Sequence, residues 1–89
     1  MRAIVTVIGD DRVGIIANVC TLLAQNGVNI LDISQTVLRN YFTMIMLVDT
    51  SDCSLPFVEL SNALEVRGEE QALSIRIQRE DIFESMHRI

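Results

Sequence analysis

The residues whose types and spacing could do chemistry are concentrated in one short run, Gly9-Asp10-Asp11-Arg12-Val13-Gly14, and in Asn29 further along. Adjacent carboxylates could serve as an acid/base pair or as hard metal ligands. Two neighbours at the start of an apolar-periodic run more often supply a helix N-cap and a solvated charge, and Asp11 is the expected cap. Gly14 stands where a missing Cβ lets another group approach the backbone. The free N–H groups of a helix start would favour a carboxylate there. One reading of Gly14 is therefore a small anionic or zwitterionic ligand, and the other is close packing of the helix start on a strand. Asn29 is either a polar residue after a glycine stop or an amide that hydrogen-bonds such a ligand.

The remaining chemistry-bearing residues are sparse. His87 is the single histidine, so neither a triad nor a zinc set can be assembled around it. Cys20 and Cys53 form no CxxC pair and read as free thiols in a reducing cytoplasm. Met44, Met46 and Met86 read as adaptable core or interface filler. No catalytic residue, metal or cofactor is expected, and the chain reads as a non-enzyme.

The elements that would position these residues follow from periodicity. Residues 1–8 alternate with apolar side chains on both faces, as in a central strand. Ile16, Val19, Cys20 and Leu23 then recur at helical spacing opposite Asn18, Thr21 and Gln25, and Gly27 follows as a helix stop. Residues 28–38 read as a strand whose apolar phase changes from Val28 and Ile30 to Leu31, Ile33 and Val37, which predicts a bulge near Leu31–Asp32. Arg39-Asn40 reads as the turn, with Asn40 the residue suited to positive φ. Residues 41–49 form a second two-faced strand, Phe42, Met44, Met46 and Val48 against Tyr41, Ile45 and Leu47. A second helix carries Phe57, Leu60, Ala63 and Leu64, with Ser54 as its cap, Pro56 in its first turn and Gly68 as its end. Leu73, Ile75 and Ile77 alternate with Ser74, Arg76 and Gln78, the pattern of an edge strand. Ile82, Phe83, Met86 and Ile89 predict a short terminal helix.

The order β-α-β-β-α-β points to an α+β, ferredoxin-like sandwich: an antiparallel four-stranded sheet of order 4-1-3-2, with helices on one face plus a short C-terminal helix. One domain over residues 1–89 is expected, with a core of 1–79 and the terminal helix over 80–89. Two helices cover one sheet face. The other stays apolar, through Phe42, Met44, Met46 and Ile4 or their alternates, and needs a second subunit or the terminal helix.

Composition narrows the partners. Of 89 residues 49% are hydrophobic, and mean hydropathy is +0.34, high for so small a domain. The surplus apolar surface suggests self-association. Net charge is −5 and all seven basic residues are arginine, a poor match for a phosphate backbone, so no nucleic acid is expected. No apolar run of membrane-spanning length occurs, and the N-terminus lacks a signal-peptide layout. Within ferredoxin-like folds, a copper chaperone would need a cysteine pair in the first loop. An RNA-recognition sheet would need more aromatics and basic charge. An acylphosphatase-type phosphate cradle at Arg12 would be opposed by Asp10 and Asp11.

Taken jointly, G-D-D-R-V-G-I at 9–15 and G-V-N-I at 27–30 resemble the ACT domain. I-S-Q-T-V at 33–37, Y-F-T-M at 41–44 and the closing I-F-x-x-M-x-x-I at 82–89 extend the likeness to small stand-alone ACT proteins of the UPF0237 family. The chain also resembles the regulatory segments of the glycine-cleavage repressor and of formyltetrahydrofolate deformylase. The resemblance implies regulatory sensing of an amino acid or related metabolite at a homodimer interface, two domains commonly pairing into one eight-stranded sheet. It places Asp11, Arg12, Val13, Gly14, Asn29 and Ile30 in the ligand-binding set. Asp11 stands where some amino-acid binders have Asn, and Gly9 where some have His. A carboxylate at Asp11 would favour an ammonium over an effector carboxylate. With no catalytic domain in the chain, regulation would act on a protein partner in trans. The alternative is a ligand-free protein–protein interaction or dimerisation module.

Overall fold

A computed structural model describes residues 1–10 and 15–81, without the side chains of residues 15, 16 and 38. Strand β1 (Arg2–Asp10) leads to helix α1 (Ile15–Gln25). Strands β2 (Asn29–Leu38) and β3 (Tyr41–Asp49) follow, then helix α2 (Phe57–Glu70) and strand β4 (Ser74–Arg79). The sheet order is β2-β3-β1-β4 and every neighbouring pair is antiparallel. This is the expected ferredoxin-like sheet, with β1 and β3 central and β2 and β4 at the edges. The expected N-cap at Asp11 and the terminal helix beyond Asp81 lie outside the described residues.

The core is one layer between the sheet and the helices. Ala3, Val5 and Val7 of β1 meet Phe42, Met44, Met46 and Val48 of β3 and Ile75 and Ile77 of β4. Val19 and Leu23 of α1 and Leu60 and Leu64 of α2 close it from above, all four fully buried. Each such side chain contributes about 1.5–3 kcal/mol by leaving water. Phe42, Met44 and Met46 thus belong to the covered face. The uncovered face is carried by their alternates, Ile4, Thr6 and Ile8 on β1 and Tyr41, Thr43, Ile45 and Leu47 on β3. The central strands are therefore covered on one side only among the described residues. Ile8 is 44% and Ile45 39% exposed.

Helix α1 ends as its glycine predicts. Gly27 sits at φ 77°, its N–H bonds the Ala24 carbonyl at 3.1 Å, and the Val28 N–H bonds the Leu23 carbonyl at 2.9 Å. That is a Schellman end. Helix α2 ends differently from the expectation. Gly68 lies inside it, buried, where a Cβ would stand 2.8 Å from the Leu73 carbonyl oxygen. The left-handed position falls on Ala72 (φ 57°), and the Leu73 N–H reaches back to the Gly68 carbonyl at 2.8 Å. The glycine is there for close approach to β4, and alanine takes the strained turn. At the other end of α2, Ser54 does not cap. Pro56 holds the N-cap position without a side-chain bond, and Ser54 instead donates its backbone N–H to the Asn26 carbonyl at 2.9 Å.

The predicted bulge is present, between Ile30 and Asp32. The hairpin after it pairs Leu38 with Tyr41, so Arg39 and Asn40 are its two loop residues. Arg39, not Asn40, carries the positive φ, 56°. A tight primed turn demands positive φ at its first loop position whatever residue stands there.

Candidate functional site

Of the six expected ligand residues, Asn29 and Ile30 are described, whereas Asp11, Arg12, Val13 and Gly14 lie outside the described residues. Asn29 opens β2, is exposed, and pairs with Asp49. Ile30 pairs with Val48 and packs half-buried against the core. Its role is to seat the start of β2, leaving the amide of Asn29 beside water.

The end of the sheet that carries Asn29 is tied down from three directions. The Asn26 side chain donates to the Leu22 carbonyl at 2.9 Å, and the Asn26 carbonyl accepts from Ser54. A Cβ on Gly27 would stand 2.5 Å from the Asp52 carbonyl oxygen, so the helix stop is also a close contact with the 50–53 loop. Asp49 accepts the Ser51 hydroxyl at 2.6 Å and the Ser51 N–H at 2.8 Å. The hydroxyl bond foremost, and the N–H bond with it, holds the Asp49 carboxyl below its ordinary pKa. An amide and a firmly ionised carboxylate therefore stand side by side, and the chain's own Met1 ammonium lies 3.6 Å from that carboxylate.

The chain leaves β1 at Asp10, which pairs with Tyr41, whereas Asn29 pairs with Asp49 at the far end of β3. Tyr41 and Asp49 are separated by about 26 Å at ~3.3 Å per strand residue. Within one chain, then, Asn29 is not brought to the point where β1 hands over to α1.

Gly9, one residue before that point, has its own steric reason. A Cβ there would overlap Leu73 Cδ2, so Leu73 occupies the space a larger side chain would need. Leu31, Ile33 and Val37 are exposed along β2, at 45%, 39% and 54%. Read as an apolar strand face, they line an edge strand whose outer side pairs with nothing among the described residues. The phase change at the bulge was the available signal. A cleft of about 260 Å³ lies between α2 and β4, lined by Glu65, Glu69, Leu73, Ser74, Ile75 and Arg76. Burial pushes the Cys20 thiol up, and Cys20 and Cys53 are free. Among the described residues no group of three His, Cys, Asp or Glu side chains could hold a metal, and no helix is long and apolar enough to cross a membrane.

Comparison with known proteins places this geometry. The ACT-domain family profile matches residues 2–78. A UPF0237 protein of Methanocaldococcus jannaschii is 52% identical over 88 residues, covering 99% of this chain and 98% of its own. The solved structure of an ACT domain protein from Streptococcus pneumoniae superposes with a TM-score of 0.83 at 48% identity, covering 94% of each chain. The ligand-free regulatory subunit of aspartate kinase from Thermus thermophilus gives 0.69 at 26% identity, covering 89% of this chain and 51% of that one. With a family profile spanning nearly all of it and a relative about half identical from end to end, the chain belongs to the ACT domain family.

Proposed function

We propose that this protein is a ligand-sensing regulatory domain, not itself an enzyme, whose site for an amino acid or related metabolite is completed by two copies of the chain. One observation supports the reading: β1 ends at Asp10 at one end of the sheet, Asn29 opens β2 at the other, and among the described residues the outer side of β2 pairs with nothing. Antiparallel pairing of β2 with β2 of a second copy would join the sheets. It would set Asn29 of one copy at the end at which β1 leads into α1 in the other, about 14 Å or three strand spacings away. Right-handed crossover carries α1 across that gap. The Asn29 side-chain carbonyl of one copy then accepts from the ammonium. In the segment Asp11, Arg12, Val13 and Gly14 of the other copy, Arg12 and the free N–H groups at the start of α1 would hold the carboxylate, whereas Asp11 would favour the ammonium. Occupancy would be relayed to a protein partner in trans. The free thiols suit a reducing cytoplasm.

The first test is a thermal-shift panel of the twenty amino acids and common one-carbon metabolites. A ligand at 100 times its dissociation constant stabilises by about 2.7 kcal/mol, a shift of roughly 10–20 °C for a domain of this size. The shared site is then tested by complementation. Gly14→Val and Asn29→Ala should each abolish binding alone. Unfolded and refolded together, they should recover about one quarter of the sites, because half the dimers are mixed and each mixed dimer has one intact site. No recovery would place both halves in one chain and overturn the reading.

A second reading has its own observation. Leu31, Ile33 and Val37 on β2 give copies an apolar reason to pair without any ligand. A flat panel together with an intact dimer would favour that ligand-free interaction module.

A further inference from the structure

The sheet face that no helix covers among the described residues is built like an interface. Its centre is Ile4, Thr6 and Ile8 on β1 against Leu47, Ile45 and Thr43 on β3. Ser74, Arg76 and Gln78 flank it on β4, and Asp32, Ser34 and Thr36 on β2. An apolar centre with a polar rim is the usual anatomy of a protein–protein contact. Charges mark its two ends: Arg2 beside Asp49 at one, Asp10 beside Tyr41 at the other.

We propose that this face stacks on the same face of a second copy, about a two-fold axis parallel to the strands. The registers single out that axis. It lays β1 over the partner's β3 and β4 over the partner's β2, while keeping each residue at its own level along the strands. Every cross-strand pair then meets itself reversed. Ile4 covers Leu47 of the partner subunit, and Thr6 covers the partner's Ile45. Arg2 meets the partner's Asp49, and Asp10 meets the phenol of the partner's Tyr41. Gln78 lies over the partner's Asp32, with Arg76 one level away.

Each contact occurs twice: Ile4 on Leu47 is apolar on apolar, Thr6 on Ile45 adds a threonine methyl to an apolar side chain, and Arg2 on Asp49 and Asp10 on Tyr41 set donor against acceptor. Arg2 already gives Nε and Nη2 to Glu80 at 3.0 and 2.7 Å, and a guanidinium has further N–H groups to give. The alternative axis, across the strands, would set Arg76 over the partner's Arg76 and lay β2 on β2, taking Gln78 and Arg76 away from Asp32. Sheets stacked face to face also settle within about 30° of parallel, which this axis allows.

Four strands at ~4.8 Å spacing and nine residues of length give a footprint of about 500 Å² per copy. Two copies therefore remove on the order of 1,000 Å², the lower bound for a specific interface, so the contact is concentration-dependent. It uses a different surface from β2 pairing, and both together would give a tetramer.

Sedimentation velocity across a concentration series tests the stack, with circular dichroism confirming that each variant is folded. Ile8→Glu and Ile45→Glu should each halve the assembly. Val37→Asp, on the β2 edge, should remove the other pairing and leave the stacked dimer. Arg2→Asp and Asp49→Arg should each weaken association, and the double exchange should restore it. An unchanged assembly in folded Ile8→Glu and Ile45→Glu would overturn the stack. So would failure of the double exchange to restore it. Association that emerges only after deletion of residues 82–89 would assign the face to the chain's own C-terminus and overturn it equally.

Discussion

Gly68 and Ala72 occupy each other's expected places at the end of α2, so exchanging their identities tests the structure sharply. In Gly68→Ala two effects oppose. Alanine in a helix interior gains about 0.5–1 kcal/mol over glycine. Against this, the new Cβ would lie 2.8 Å from the Leu73 carbonyl oxygen and 3.1 Å from Ile75 Cγ1. The first of these is backbone, and it cannot swing away. Leu73 is held by its N–H bond to the Gly68 carbonyl, and β4 begins at the next residue. Overpacking of this kind costs about 1–3 kcal/mol, so a net loss of about 1–2 kcal/mol is expected. In Ala72→Gly the sign reverses. Ala72 is exposed at φ 57°, and relief of the left-handed strain gains about 1 kcal/mol. Thermal unfolding reads both, each kcal/mol moving the midpoint by roughly 4–8 °C. If the helix instead ended at Gly68, Ala72→Gly would give no gain. A neutral or destabilised Ala72→Gly, or a stabilised Gly68→Ala, would refute the reasoning.

Other outcomes follow from the same geometry. Leu60→Ala, at a fully buried site, should lose about 2–5 kcal/mol in urea unfolding. Gly9→Ala must displace Leu73 and should lower the midpoint, whereas Gly9→Ala combined with Leu73→Val should recover part of the loss. Asp49 is held below its ordinary pKa, so its contribution is present above the unfolded-state value and is lost as pH falls through the lowered folded value. Ser51→Ala should move the Asp49 titration upward in an NMR pH series. Cys20, whose thiol is pushed up by burial, should alkylate more slowly in the folded protein than in urea at the same mildly alkaline pH.

Much of the fold was legible because periodicity and burial coincide. The alternation Leu73, Ile75, Ile77 marks β4, Gly27 marks a true helix stop, and the phase change in β2 marks a real bulge. What stayed illegible depends on contacts distant in sequence. Nothing local says that Gly68 faces the carbonyl of Leu73, or that Ser54 is drawn to Asn26 rather than to α2. Nor does alternation on a two-faced strand say which side the helices choose, and the methionines of β3 went to the covered side. The candidate site was read as a set of residues, but its separation into two ends came only from strand direction.

Sheet order has a consequence for synthesis. β1 is made before the other described strands, yet it is central, and its second neighbour is β4: Ala3 pairs with Arg79. While the chain is being translated, β1 can be flanked by β3 alone, and its other edge stays bare until residues 74–79 have left the ribosome. The final strand closes both the sheet and the core layer beneath α2. A product stalled before β4 would carry an open, Val- and Ile-rich edge, the kind of template on which strands from other chains add. Native pairing thus waits on the last strand, and quality control would meet every shortened chain as an unfinished sheet.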